Sequence, residues 1–576
     1  MPTLKLKSAL LTSSLLALAA CAPMQSKPPA DAGEKVQAPA EERKPPLPNQ
    51  ELSAQSLYQY LVGEVALQRG QPELAAEALL DLARQTRDPR LAQRATETAV
   101  LGRQASQAGD AALLWQSLDP ESPQATQAAA ALLVNSGRLG EARPYLEKLI
   151  TAEGEGRAAA FLHLNQMLAR QRDREAVLTL VQDLASPYPE SAEAHFAVAQ
   201  AAWSAGKRQE AVAELRLADR LRPGWEPAAL FHGQALQQVS ASDALEFYRA
   251  FLHDYPKASE VRLAYARLLV SEKSYPQARN EFQRVLDDAP NNAEISFAVG
   301  LLALQASDLA AAETYLQRAL AAGYKDADLA HFYLGQIAEE RKQLKQAAEW
   351  FSRVGPGEHY LNAQIRYAGV MAKQGRLDEA SRHLQQIQPQ DIAQRALLIQ
   401  AEAQLLREAK RHQEAFEVLG KGLEKIPNHP ELLYDHAMAA EKLNLLDVVE
   451  KDLRQLIQIK PDNAHAYNAL GYTFAERGIR LEEARQLTEK ALSLDPGNPL
   501  IMDSLGWAYY RLGEHGKAAE WLKKAHELRP DPEIAAHLGE VLWMQGQRDE
   551  ARKIWQSALK LSPENDVLRN VMQKFK

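Results

Sequence analysis

Cysteine is almost missing from this chain: Cys21 is the single thiol in 576 residues, which excludes an internal disulfide framework. Aromatic residues make up only 7%, and β-branched residues are sparse beside Ala, Leu, Gln, Glu and Arg. That usage leaves little room for sheet and is typical of helices packed on helices. A basic excess is missing too. The net charge is -8, which argues against a nucleic-acid binder, since such proteins concentrate Lys and Arg on one face.

Catalytic spacing is equally scarce. The fourteen histidines form no His-Glu-x-x-His pair and show no second ligand at metal spacing, so most read as solvated helix residues. Gly513-Glu514-His515-Gly516-Lys517-Ala518 has too short a glycine spacing for a phosphate loop and lacks Ser or Thr after the lysine. Ser204-Ala205-Gly206-Lys207 matches a loose Ser-x-x-Lys pattern but falls at an expected turn between helices. No Gly-x-Ser-x-Gly occurs, and the acid pair Glu482-Glu483 suits an exposed helix start. The expectation is a non-enzymatic protein with no metal and no cofactor.

What is present begins at the N-terminus. Lys5 and Lys7 precede an apolar run from Ala9 to Ala20 that is too short to span a bilayer and ends in small residues before Cys21. Residues 1–20 therefore read as a cleaved secretory signal. Leu18-Ala19-Ala20-Cys21 resembles a bacterial lipobox, which makes Cys21 the acylated first residue of the mature protein. Two or more acyl chains, palmitate-like in length, hold a protein on a membrane stably, whereas one does so only marginally. Ala22 rather than Asp after the cysteine implies, by resemblance to Gram-negative lipoproteins, sorting to the outer membrane. Residues 21–50 carry seven prolines and almost no large apolar side chains, so they read as a disordered tether of about 3.1 Å per residue.

Residues 51–570 repeat. An alanine recurs at Ala142, Ala176, Ala211, Ala244, Ala278, Ala312, Ala347, Ala380 and Ala415, and again at Ala484, Ala518 and Ala551, with Val449 in the intervening slot. Twelve residues after these anchors come Pro223, Pro256, Pro290, Pro427, Pro461, Pro496, Pro530 and Pro563, each able to end a helix. Four residues after an anchor stands a large apolar residue such as Tyr248, Phe282, Phe351 or Trp555. Glycines at Gly63, Gly300, Gly335, Gly471, Gly506 and Gly539 precede the anchors by twelve or thirteen. A period of about 34 with these marks is that of the tetratricopeptide repeat, two antiparallel helices per unit crossing where only a small side chain fits. The expected fold is all-α, a right-handed superhelical solenoid of about 13–15 helix pairs. An early unit anchors at Ala75, and 90–123 reads as a degenerate repeat without a clean anchor.

In such repeats the first helix of each pair lines the concave groove. Tyr472, Trp507, Tyr510 and Trp543 fall outside its expected packing positions, with Tyr472 and Trp507 one unit apart and Tyr510 and Trp543 likewise. Flanked by Asn468 and Asp503, these aromatics are candidates for binding an extended peptide, because aromatic clusters bury much area at little entropic cost. Filling the space between units is the alternative reading.

The runs Tyr467-Asn468-Ala469-Leu470-Gly471-Tyr472, Asp503-Ser504-Leu505-Gly506-Trp507 and Glu533 to Trp543, taken with the lipobox, linker and length, point further. Over the whole chain they resemble tetratricopeptide outer-membrane lipoproteins of pseudomonads that bind a periplasmic carboxyl-terminal processing protease. The resemblance implies an adaptor that holds this protease and its protein substrates, including peptidoglycan hydrolases. A scaffold for exopolysaccharide export or pilus assembly, which also uses such repeats, is the alternative.

Overall fold

The computed structural model describes residues 47–48, 51, 53–151 and 155–575. The signal at 1–20, Cys21 and nearly all of the 21–50 tether lie outside them. Among the described residues there are 31 helices and no strand. They fall into two compact units divided between Ala322 and Gly323. The first holds eight helical hairpins, from Ala54–Gln68 and Pro72–Thr86 to Ala293–Gln305 and Leu309–Ala321. The second holds seven, from Ala327–Glu340 and Leu344–Ser352 to Pro532–Met544 and Arg548–Leu561, and closes with the helix Asp566–Lys574.

The sequence marks explain how a hairpin forms. Every repeated proline, from Pro223 through Pro563, stands two residues past the end of a second helix, as Leu221, Asp254, Leu494 and Leu561 illustrate. Proline cannot extend the helix, and the chain turns at once into the next N-cap. Asn292, Asn463, Asn498, Asp531 and Asn565 lie within two residues of such a proline, and each side chain accepts a backbone N–H of the first turn of the next first helix. In most hairpins the chain reverses between the two helices through a left-handed residue. Gly206 (φ +78°) and Gly513 (φ +82°) both sit at these reversals, so the two motifs that mimic catalytic loops are hairpin turns.

The anchor alanines are buried. Ala211, Ala244, Ala312, Ala415, Ala484 and Ala551 are all fully covered, as is Val449 in the substituted slot. The glycine of the first helix faces the bulky residue four positions past the anchor. A methyl added at Gly539 meets Trp555 Nε1 at 2.1 Å, one at Gly335 meets Phe351 Cε1 at 2.5 Å, and one at Gly506 meets Leu522 Cγ at 2.6 Å. The crossing is thus a small residue on one helix and a large one on its partner, which sets the close approach that overpacking disturbs.

Three expectations need correction. Ala176 is only half-buried; Val177 is 3% exposed and occupies the core position, because the hairpin Glu155–Leu168 and Arg174–Ala185 is set one residue later. Residues 90–123 are not degenerate in structure: Pro89–Leu101 and Ala105–Leu118 form an ordinary hairpin anchored on Ala108, 1% exposed, with Pro120 two residues past its end. Its pattern is inverted in size. Ala112 takes the position of the usual bulky residue, and Trp115 takes that of the second alanine. The histidines, third, are not mainly solvated: His232, His436 and His537 are buried, and each meets an Asp from another helix.

Candidate functional site

The sequence-predicted aromatics lie on consecutive first helices near the C-terminus, Ala464–Arg477, Pro499–Arg511 and Pro532–Met544. Gly471, Gly506 and Gly539 turn the same face of each helix toward its own second helix, which leaves the following residue on a shared face. The structure brings Tyr472, Trp507 and Tyr510 together, but the link between them is His537. Its ring stacks on Trp507 with centroids 4.2 Å apart and touches Tyr472 at 6.2 Å, while Tyr510 lies 4.9 Å from Trp507.

Polar bonds then lock this cluster. The Trp507 indole N–H donates to Glu476 Oε2 at 2.8 Å, and the Tyr510 hydroxyl donates to Glu540 Oε1 at 3.2 Å. Lys574 of the last helix donates to the same Glu540 oxygen at 2.8 Å. His537 Nδ1 lies 3.0 Å from Asp503 Oδ1. Burial by itself lowers the imidazole, but Asp503, with Glu476 and Glu533 farther off, outweighs it and leaves His537 above its ordinary value. Burial, aided by Glu540, pushes the Tyr510 phenol up to about 12. Tyr472 is raised still further by burial and by the surrounding carboxylates Glu476, Asp503, Glu533 and Glu441.

The expectation that all four aromatics fall outside packing positions is corrected at Trp507. It is 6% exposed and belongs to the core built around Leu470, Phe474 and Ala508. Tyr472, Tyr510 and Trp543 keep partial exposure. Trp543 is set apart from the other three: it packs on Trp555 and Phe575, both at 5.9 Å, under the guanidinium groups of Arg548 and Arg552. Asp503 is engaged by His537, whereas the Oδ1 of Asn468 is buried with no hydrogen-bond donor.

Sequence reasoning missed a second surface. Leu57, Tyr58, Leu61 and Val65 of the first described helix and Leu74 of the next are between 43% and 69% exposed, an apolar patch at the N-terminal end of the repeats. Their large apolar character was the available signal. The described residues hold no group of three or more His, Cys, Asp or Glu able to take a metal ion.

A stack of helical hairpins with an aromatic and carboxylate first-helix face defines a repeat scaffold. Models of the tetratricopeptide repeat match residues 235–300, 297–357, 434–499 and 499–532, the last two of which include Tyr472 and Trp507. The chain is 37% identical over 535 residues to the TPR repeat-containing protein PA4667 of Pseudomonas aeruginosa, covering 92% of this chain and 90% of that one. It belongs to the family of tetratricopeptide-repeat proteins. It is also 24% identical over 349 residues to cellulose synthase operon protein C of Pseudomonas fluorescens, covering 50% of this chain and 27% of that relative. Among solved structures, a tetratricopeptide protein of Thermus thermophilus aligns with 28% identity over 29% of this chain and 91% of its own, with a TM-score of 0.27. The chain is therefore a tetratricopeptide scaffold of the kind that mediates protein–protein interaction.

Proposed function

We propose that the protein is an outer-membrane-anchored periplasmic adaptor that binds a carboxyl-terminal processing protease and presents protein substrates, among them peptidoglycan hydrolases, to it. In this reading acyl chains on Cys21 hold it at the membrane and residues 22–50 are the tether. The observation that carries the proposal is the half-exposed aromatic face on consecutive first helices, where Tyr472 and Tyr510 offer ring surface beside carboxylates to an extended segment. Lipobox-like residues before Cys21 and the full-length likeness to a Pseudomonas tetratricopeptide protein add support. Partial likeness to a protein named for a cellulose synthase operon favours the second reading, a scaffold for exopolysaccharide export.

Deletion of the protein in its own host separates the two. The adaptor reading expects peptidoglycan hydrolases to accumulate while polymer secretion is unchanged. Loss of secreted polymer with normal hydrolase levels would replace it with the second reading.

A further inference from the structure

The first and last described helices end the repeats in opposite ways. The closing helix Asp566–Lys574 buries Leu568 and exposes Asp566, Arg569, Asn570, Gln573 and Lys574, the polar outer face that keeps a terminal repeat soluble. The opening helix Ala54–Gln68 has no such face. Its inner side buries Gly63 and Ala66, with Gly63 against Leu79 of the next helix. Along its outer side run Ala54, Leu57, Tyr58, Leu61, Val65 and Gln68, all exposed and none charged, at the spacing of a helical stripe. A helix apolar on both sides belongs inside a protein, not at its end.

The stripe fits a copy of itself. Glu64 is the only charged residue of the helix, and each of its oxygens lies 3.4 Å from the Arg94 guanidinium, so that charge is answered within the chain. Nothing along the stripe therefore repels an identical stripe. Its ridge of residues four apart, Leu57, Leu61 and Val65, is also symmetric about its centre. Laid antiparallel across a two-fold axis at Leu61, Leu57 meets the partner's Val65, and Tyr58 comes level with the partner's Glu64, whose carboxylate can accept from the phenol. Ridges of this spacing interdigitate at about −50°, the commonest crossing of two helices. The four large side chains, with exposed Leu74 at the start of the next helix, offer roughly 1,000 Å² on two copies together, the lower limit of a specific interface.

We infer that the outer face of Ala54–Gln68 is the contact between two copies of this chain, a two-fold dimer built on Leu57, Tyr58, Leu61 and Val65. A two-fold contact occupies the same patch in both copies, so assembly through it stops at two. The small area places dissociation in the micromolar range, about 8 kcal/mol of association free energy. The inference rests on the first unit alone and is independent of which protein partner the scaffold serves.

The test uses the full chain with Cys21→Ser, which removes the acylation site and the single thiol. Sedimentation equilibrium from about 0.1 to 100 µM is expected to show monomer passing to dimer. Leu61→Glu sets two carboxylates against each other at the axis and is expected to raise the midpoint concentration at least tenfold, with helicity by circular dichroism unchanged because Leu61 is exposed. Under diamide, Leu61→Cys is expected to cross-link to its own copy, whereas Gln68→Cys, seven residues from the axis, is not. A mass that stays monomeric, a midpoint unmoved by Leu61→Glu, or equal cross-linking at the two positions would each overturn the inference. Binding of a monomer to phosphatidylethanolamine and phosphatidylglycerol vesicles, lost in Leu61→Glu, would also overturn it and give the face to a bilayer.

Discussion

Trp507 shows how one side chain can serve the fold and the candidate site at once. It is buried, stacked on His537 and hydrogen-bonded to Glu476, so Trp507→Ala removes packing and leaves a carboxylate without its donor. The expected loss is about 3–5 kcal/mol of unfolding free energy, measured by urea denaturation. Tyr472→Phe keeps the ring and should leave stability within about 0.5 kcal/mol while weakening partner binding, so it separates recognition from folding where Trp507→Ala does not. His537 makes stability depend on pH. Its folded value is raised, so its contribution is complete below the ordinary imidazole value of 6.5 and is lost as pH rises past that through the higher folded value. Burial lowers His331, His383 and His526, which act with the opposite sign. The clean measurement is therefore a difference: Asp503→Asn should cost more stability near pH 6 than near pH 8.5, and a cost independent of pH would remove His537 from the account.

At the scale of the hairpin, the sequence announces what steric exclusion enforces. Proline must sit outside a helix, and a crossing admits one small residue opposite one large residue, so the Pro, Ala and Gly marks were readable from spacing. The hairpin at 89–118 read as a degenerate repeat, and its anchor Ala108 escaped, because Ala112 and Trp115 exchange the usual sizes and erase the pattern. Ala176 was mistaken for an anchor because alanine tolerates both exposed and buried positions, and only packing shows that Val177 faces inward. Substitution tests these registers: Ala108→Leu should destabilise by about 1–3 kcal/mol, whereas Ala176→Leu should be nearly neutral in the same thermal melt. Gly539→Ala, with its methyl against the Trp555 indole, belongs with the costly class. Periodicity placed Tyr472, Trp507 and Tyr510 on one helix face, yet it could not show that His537, from the next first helix, covers Trp507. That contact spans thirty residues and depends on how two helices meet, which no local spacing encodes.

For the molecule as a whole, the proposed tether at residues 21–50 and the repeats divide the work. In that proposed role the tether sets where the scaffold is, and the repeats present surfaces at the N-terminal apolar patch and the aromatic face. Holding an enzyme and its substrate on one chain replaces a bimolecular encounter with a local one, and effective concentrations reach the millimolar range for short flexible links. In the proposed adaptor role the scaffold would accelerate its partner's reaction by proximity alone. Reconstitution measures this directly: a purified carboxyl-terminal processing protease and a peptidoglycan hydrolase at submicromolar concentration, with and without the full chain, followed by the rate at which intact hydrolase disappears. The account predicts a rate at least tenfold faster with the chain present and a fall back toward the unassisted rate when the chain is in large excess, as the two partners are sequestered on separate scaffolds. A rate indifferent to the chain at every concentration would contradict it.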